Sequence, residues 1–301
     1  MTSFVTKYGD IAGESGPDRL PPVAQMTQAN FEMVVRMLAD DLAFGSDDSL
    51  FVGSGLEYAQ SRPYEPGDPV RQIDWKITAR SGRAYLKEYE TLKRMSTYLL
   101  VDTSGSMSVA STRLSKLDLA VWITAAIGLI AIRRLSPVAI VGAGERRTRI
   151  KPSMATSDLW RILEPLRAAQ PREATDVANQ LVSLDPRLTR RSLIIVISDL
   201  HEPEVVGAVC RAAQRHDTVS LHLNDPAEAG SLRAGFFRGT EAETGTAFLG
   251  HGRSAWHEDQ GIGKAIASAG ASYLRLRTDR PFITPLRQFL ANRHVVARGR
   301  D

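Results

Sequence analysis

The stretch that most limits how this chain can fold is Tyr98-Leu99-Leu100-Val101, because it stops abruptly on an acid. An apolar run without polar alternation suits a strand buried on both faces, as in a parallel sheet. It gives way to Asp102-Thr103-Ser104-Gly105-Ser106, a carboxylate followed by hydroxyls and a turn-permitting glycine. The long apolar stretch beyond predicts a helix over 112–134. Strand, polar loop and helix open a βα unit, and open α/β sheets bind ligands at that end of their strands. Asp102, Ser104 and Ser106 offer only hard oxygen donors, which suit Mg²⁺ or Mn²⁺ better than zinc or copper. The plainer alternative is a turn whose serines cap the following helix.

The rest of the pattern repeats that unit. Strands are expected at 98–103, 138–142, 148–151, 193–198, 218–223 and 272–277. Helices are expected at 157–168, 176–184, 203–215, 257–269 and 282–293. Such alternation predicts an α/β fold with a largely parallel sheet. Phe236-Phe237-Arg238 and Thr246-Ala247-Phe248-Leu249, split by Glu243-Thr244-Gly245, read as an inserted hairpin near 230–250. Upstream, Phe31, Val34, Val35, Leu38 and Leu42 recur at helical spacing behind Asn30, a plausible cap. The expected division is an arm and helix over 1–48, a β-rich segment over 49–95, the main domain over 96–295, and a tail over 296–301.

Composition excludes several functions. At 301 residues, with 43% hydrophobic and 24% charged residues, the chain reads as an ordinary globular protein. The net charge of +4 is too diffuse for a nucleic-acid partner, which requires a clustered face or a recognisable motif. The longest uncharged apolar run, Leu119 to Ile132, falls short of the roughly 18 residues of a membrane span. No apolar segment stands behind a basic start, and Cys210 is the single cysteine, so a cytoplasmic protein is expected. A phosphate-binding Gly-x-x-x-x-Gly-Lys-Ser/Thr loop is missing. His251 and His257 are too loosely spaced for a zinc site. His201, two positions past Asp199, reads either as a loop residue or as a group standing behind a site.

Two resemblances sharpen this reading. Asp102-Thr103-Ser104-Gly105-Ser106 resembles the first loop of the metal-ion-dependent adhesion site of von Willebrand factor A domains. That family completes its site with a threonine from a middle loop and an aspartate after the fourth strand. Thr175, in Glu173-Ala174-Thr175-Asp176, and Asp199, ending Leu193-Ile194-Ile195-Val196-Ile197-Ser198-Asp199, match those positions. Asp176 itself reads as an exposed acid in the first turn of a helix. The stretch from Tyr64 through Gly67-Asp68, Arg71, Ile73-Asp74-Trp75 and Ala79-Arg80 resembles the signature of the bacterial family called domain of unknown function 58.

The order of elements also matches that of A domains, and the resemblances imply a von Willebrand factor A-like, Rossmann-like fold with a doubly wound, mostly parallel sheet that brings Asp102 and Asp199 together. They also imply a divalent cation, Mg²⁺ or Mn²⁺, held by Asp102, Ser104, Ser106, Thr175 and Asp199, and a protein partner offering it a Glu or Asp. They point to a non-enzymatic interaction module serving a MoxR-type AAA+ ATPase. A metal-dependent phosphatase or hydrolase at the same crevice, or a metal-free scaffold with a vestigial site, are the alternatives. Arg71, Asp74, Trp75 and Arg80 form either a structural knot, with ion pairs rimming a buried aromatic, or a recognition surface in which Trp and Arg dominate.

Overall fold

The computed structural model describes residues 20–43, 57–90, 95–108, 110–143, 148–149, 151–168, 176–228, 236–240, 247–251 and 261–297. Its centre is a six-stranded sheet. The strands are β3 (Thr97–Val101), β4 (Val138–Gly142), β5 (Thr148–Arg149), β6 (Leu193–Ser198), β7 (Asp217–Asn224) and β10 (Ser272–Arg277). The spatial order is β10-β7-β6-β3-β4-β5, and every pairing is parallel except β4 with β5. The chain therefore leaves β3 in one direction and returns to β6 on its other side. Strand order reverses between β3 and β6, as in the doubly wound fold expected from the sequence.

Both faces of the sheet are covered, which explains the uninterrupted apolar strands. Successive side chains of a strand point to opposite faces. Leu99, Val101, Ile195 and Ile197 join one core, whereas Leu100, Ile194 and Val196 join the other. The first core is closed by α1 (Gln28–Ala43), α3 (Lys116–Arg133), α4 (Thr156–Ala168) and α8 (Ile283–Ala297). The second is closed by α5 (Val177–Leu184), α6 (Pro203–Ala212) and α7 (Ile262–Ser268).

Helix α3 is apolar all round because it is buried all round, between the sheet and α1. No described helix is long and apolar enough to cross a membrane. Its start is fixed by a capping box: Ser115 Oγ accepts from the Asp118 amide at 3.0 Å, and Asp118 Oδ2 accepts from the Ser115 amide at 3.0 Å. The other oxygen of Asp118 takes the Val23 amide at 2.8 Å, tying the N-terminal segment to this cap. Helix α1 starts ahead of Asn30, whose amide donates to Thr27 Oγ1, so a threonine does the capping expected of Asn30. Phe31 is fully buried, with its ring centroid 4.9 Å from that of Trp122 and the Arg167 guanidinium 4.2 Å above it.

Two small antiparallel pairs stand apart from the main sheet. Strand β1 (Glu57–Pro63) pairs with β2 (Tyr85–Glu90), and between them lies the short helix α2 (Trp75–Ser81). Strands β8 (Phe236–Thr240) and β9 (Ala247–His251) form the hairpin expected from the aromatic pattern.

Phe31→Ala should destabilise the protein by about 3–5 kcal/mol, the usual range for emptying a buried aromatic site. A urea unfolding series checks it, and a loss below about 1 kcal/mol would show that α1 does not belong to the cooperative core.

Candidate functional site

The reversal of strand order decides which loops meet. Because β3 and β6 are adjacent and in register, the residues that follow them, Asp102 and Asp199, emerge side by side. Asp102 lies almost wholly out of water. Its Oδ1 accepts the Ser104 amide at 3.0 Å, and its Oδ2 accepts the Ser198 hydroxyl at 2.6 Å. Ser104 Oγ and Ser106 Oγ stand 3.0 Å apart on the turn that follows, and Ser106 is also within hydrogen-bonding reach of Asp199. Four of the five residues matched to a cation site are thus brought together. Thr175 lies outside the described residues. Its neighbour Asp176 precedes α5 and accepts the side-chain amides of Asn179 at 2.9 Å and Gln180 at 2.7 Å.

Two adjacent buried carboxylates repel each other, and the structure shows how the strain is divided. Burial first, and then the neighbouring Asp199 charge, push Asp102 up to about 6. Burial would raise Asp199 as well, but the Lys116 ammonium and then His201 outweigh it and hold this carboxyl below its ordinary value. Lys116 was not singled out by the sequence pattern. It is the first residue of α3, and its fully buried Nζ lies 2.6 Å from Asp199 Oδ2 and bonds to Glu228 Oε1 as well. Burial alone would lower the lysine; the two carboxylates, Asp199 first, more than reverse that and keep it cationic. Glu228, penalised chiefly by burial, stays above its ordinary value despite the ammonium.

The loop that carries Glu228 is itself anchored. Asp225, at the end of β7, accepts the Ser111 amide at 3.0 Å, the Ser111 hydroxyl, the Ala227 amide at 2.9 Å and the Thr278 hydroxyl at 3.0 Å. This one side chain joins the segment before α3 to the ends of β7 and β10. On the other side, Leu200 adopts a left-handed φ of 51°, and its amide donates to Ser198 Oγ at 3.0 Å. A leucine there is strained, of order 1–3 kcal/mol. The turn brings His201 back over the site, its Nδ1 3.5 Å from Asp199 Oδ2 and its Nε2 3.6 Å from Glu228 Oε1. His201 therefore stands at the cluster.

Chemically, the donors fit a hard cation. Two ligands at right angles on a Mg²⁺ ion, each about 2.1 Å from it, are about 3 Å apart, the spacing of Ser104 Oγ and Ser106 Oγ. Asp199, His201 and Glu228 form a buried group whose ligand atoms lie within 4.8 Å of one another and could coordinate a divalent cation. Two of those three already hold the Lys116 ammonium.

The second stretch singled out in the sequence divides in two. Asp74 is buried and caps α2, accepting the amides of Lys76 at 3.0 Å and Ile77 at 3.2 Å and the Ser61 hydroxyl at 3.3 Å. That is structural work. Trp75, in contrast, is 68% exposed, with Val70 and the exposed Arg71 and Arg80 in the same segment. The buried aromatic rimmed by ion pairs does not form: Trp75 faces solvent, and the Asp74 carboxylate is hydrogen-bonded to the start of α2 and to Ser61.

The strand order, with the site at its reversal, is that of a doubly wound, largely parallel, Rossmann-like α/β domain. Residues 60–254 match the family described as "Protein of unknown function DUF58", and the chain belongs to that family. Uncharacterized proteins of Mycobacterium bovis and Mycobacterium tuberculosis are 28% identical to it over 279 residues, covering 87% of this chain and 87% of theirs. The von Willebrand factor type A structure from Catenulispora acidiphila aligns with 67% of this chain at 13% identity and a TM-score of 0.40; the match spans 42% of that chain. The RO (RSR) protein of Deinococcus radiodurans aligns with 97% of this chain and 53% of its own at 14% identity and a TM-score of 0.33. At such scores the fold rests on the strand order, not on either overlay.

The Asp102 shift sets a pH dependence for the metal-free protein. Its folded value of about 6 exceeds the ordinary 3.8, so the native state holds a proton that the unfolded chain releases. The associated stability is full below about 3.8 and lost as pH rises through about 6. Urea midpoints in chelator should therefore fall more steeply over that window for the wild type than for Asp102→Asn, which keeps only the contribution of other raised carboxyls such as Glu228. Parallel curves would contradict it.

Proposed function

We propose that this chain is a non-catalytic, cytoplasmic protein-interaction module. Its crevice between β3 and β6 takes Mg²⁺ or Mn²⁺ on Ser104, Ser106, Asp102 and Asp199, with Thr175 as a fifth ligand, and recognises a carboxylate of a partner. The observation that carries this reading is the convergence of two hydroxyls at ligand spacing with two carboxylates from loops 97 positions apart (199 − 102). When bound, the cation would supply an open position for an acidic side chain; the chain's own residues hold and orient it. Two carboxylates neutralise a divalent ion only formally, so a further carboxylate is still attracted. The resemblance of the signature stretch points to a MoxR-type AAA+ ATPase as the partner.

Trp75 supports a second contact with the same acidic partner. It stands exposed in a segment that also carries the exposed Arg71, Lys76 and Arg80. An exposed aromatic in a segment with exposed arginines fits an acidic partner, and Trp and Arg are the residues that most often dominate interfaces.

Capture of the partner ATPase by the immobilised full chain tests this reading. Binding should require Mg²⁺ or Mn²⁺, be abolished by chelator, and fall at least about 100-fold in Asp102→Ala, the usual cost of removing a charged contact. Metal-independent capture, or capture unchanged in Asp102→Ala, would overturn the reading. Trp75→Ala should weaken capture about tenfold or more without moving the unfolding midpoint. A fall in stability instead would show that Trp75 is structural.

A further inference from the structure

A lysine at the first position of a buried helix is in an unfavourable place twice over. The helix N-terminus carries partial positive charge and disfavours cations. Taking an ammonium out of water costs several kcal/mol more unless it is paired with good geometry. Lys116 nevertheless has no exposed surface, and its ammonium is clamped between Asp199 Oδ2 and Glu228 Oε1. Asp199 thus has two claimants: the lysine on one oxygen, and the crevice of Ser104 and Ser106 that it borders.

We propose that Lys116 is a tethered cation competing with the divalent ion for Asp199, and that Glu228 is the arm that holds the lysine in place. The inference rests on the cation-site reading above and says what regulates it. In the lysine-clamped form, Asp199 is already neutralised and the crevice presents little more than the Asp102 carboxylate to an incoming ion. A divalent ion must share Asp199 with the ammonium or push it toward Glu228. Either way it works against a positive charge only one hydrogen bond behind its own ligand. At an effective dielectric constant of about 20, a unit charge some 5 Å away is enough to change ion affinity more than tenfold. Asp225 keeps this arrangement rigid, because its bonds to Ser111, Ala227 and Thr278 fix the segments that carry Lys116 and Glu228. A partner that moves the 225–228 loop would draw Glu228 and the lysine away together and open Asp199 to metal.

The test is Mn²⁺ binding to the full chain, followed by calorimetry and by electron paramagnetic resonance, with thermal unfolding measured in parallel. Wild type, Lys116→Gln, Glu228→Gln and the double variant are compared. Lys116→Gln should bind Mn²⁺ at least tenfold more tightly than wild type, and its unfolding temperature should become strongly metal-dependent. If that variant folds poorly, because two buried carboxylates lose their counter-ion, the double variant removes one of them. It should bind at least tenfold more tightly than Glu228→Gln alone. Equal affinity with and without the lysine would overturn the inference while leaving the cation site standing. If neither wild type nor any variant binds Mn²⁺, both this inference and the cation-site reading fail.

Discussion

Everything at this site follows from placing two carboxylates together where water cannot screen them. Asp102 and Asp199 are adjacent because β3 and β6 are adjacent, and both are buried because the sheet is covered on both faces. Like charges in such a place cannot both be ionised without a counter-charge. The protein answers with two devices. Asp102 resists ionisation and is held by the Ser198 hydroxyl and the Ser104 amide, whereas Asp199 is kept ionised by the buried Lys116. The crevice is therefore asymmetric. One carboxylate is available to a cation, and the other is already engaged.

That asymmetry shapes how the surrounding structure is built. The capping box of Ser115 and Asp118 fixes where α3 begins, and so where the Lys116 side chain starts. Asp225 gathers the segment before α3, the end of β7 and the end of β10, holding Glu228 opposite the lysine. The left-handed turn at Leu200 returns His201 over the pair. Loops after successive parallel strands are independent in sequence, but the hydrogen bonds of these side chains make them one rigid rim. Strain at Leu200 and the cost of burying Lys116 are tolerated because that rim over-determines the geometry.

Much of this architecture was legible in the sequence. The uninterrupted apolar strands announce a sheet covered on both faces, and β4, β6 and β10 fall where the pattern places them. The reversal of strand order, and with it the meeting of Asp102 and Asp199, was expected from the resemblance to A domains and is what the sheet shows. What the pattern could not show were interactions made by single side chains across long separations. Lys116 reads as a commonplace helix-start residue until Asp199 and Glu228 are seen around it; the one hint was a cation set against the helix dipole. Glu228 sits where periodicity fades after Asn224-Asp225-Pro226, so no pattern could assign it. Asp74 was legible as part of a motif but not as a cap, and the exposure of Trp75 could not be read from the pattern. Ser198 lies inside an apolar strand, where its hydroxyl counts only because Asp102 accepts it.

The crevice carries the oxygen donors of a cation site and is guarded by a cation of its own, Lys116. Crystals of the wild-type chain grown with Mn²⁺ and measured at the manganese absorption edge would test this most directly. An anomalous peak about 2.2 Å from Ser104 Oγ and Ser106 Oγ, with Lys116 still bonded to Glu228, is the predicted result. A peak at the Lys116 position between Asp199 and Glu228, or a strong peak only at some other place on the molecule, would contradict it.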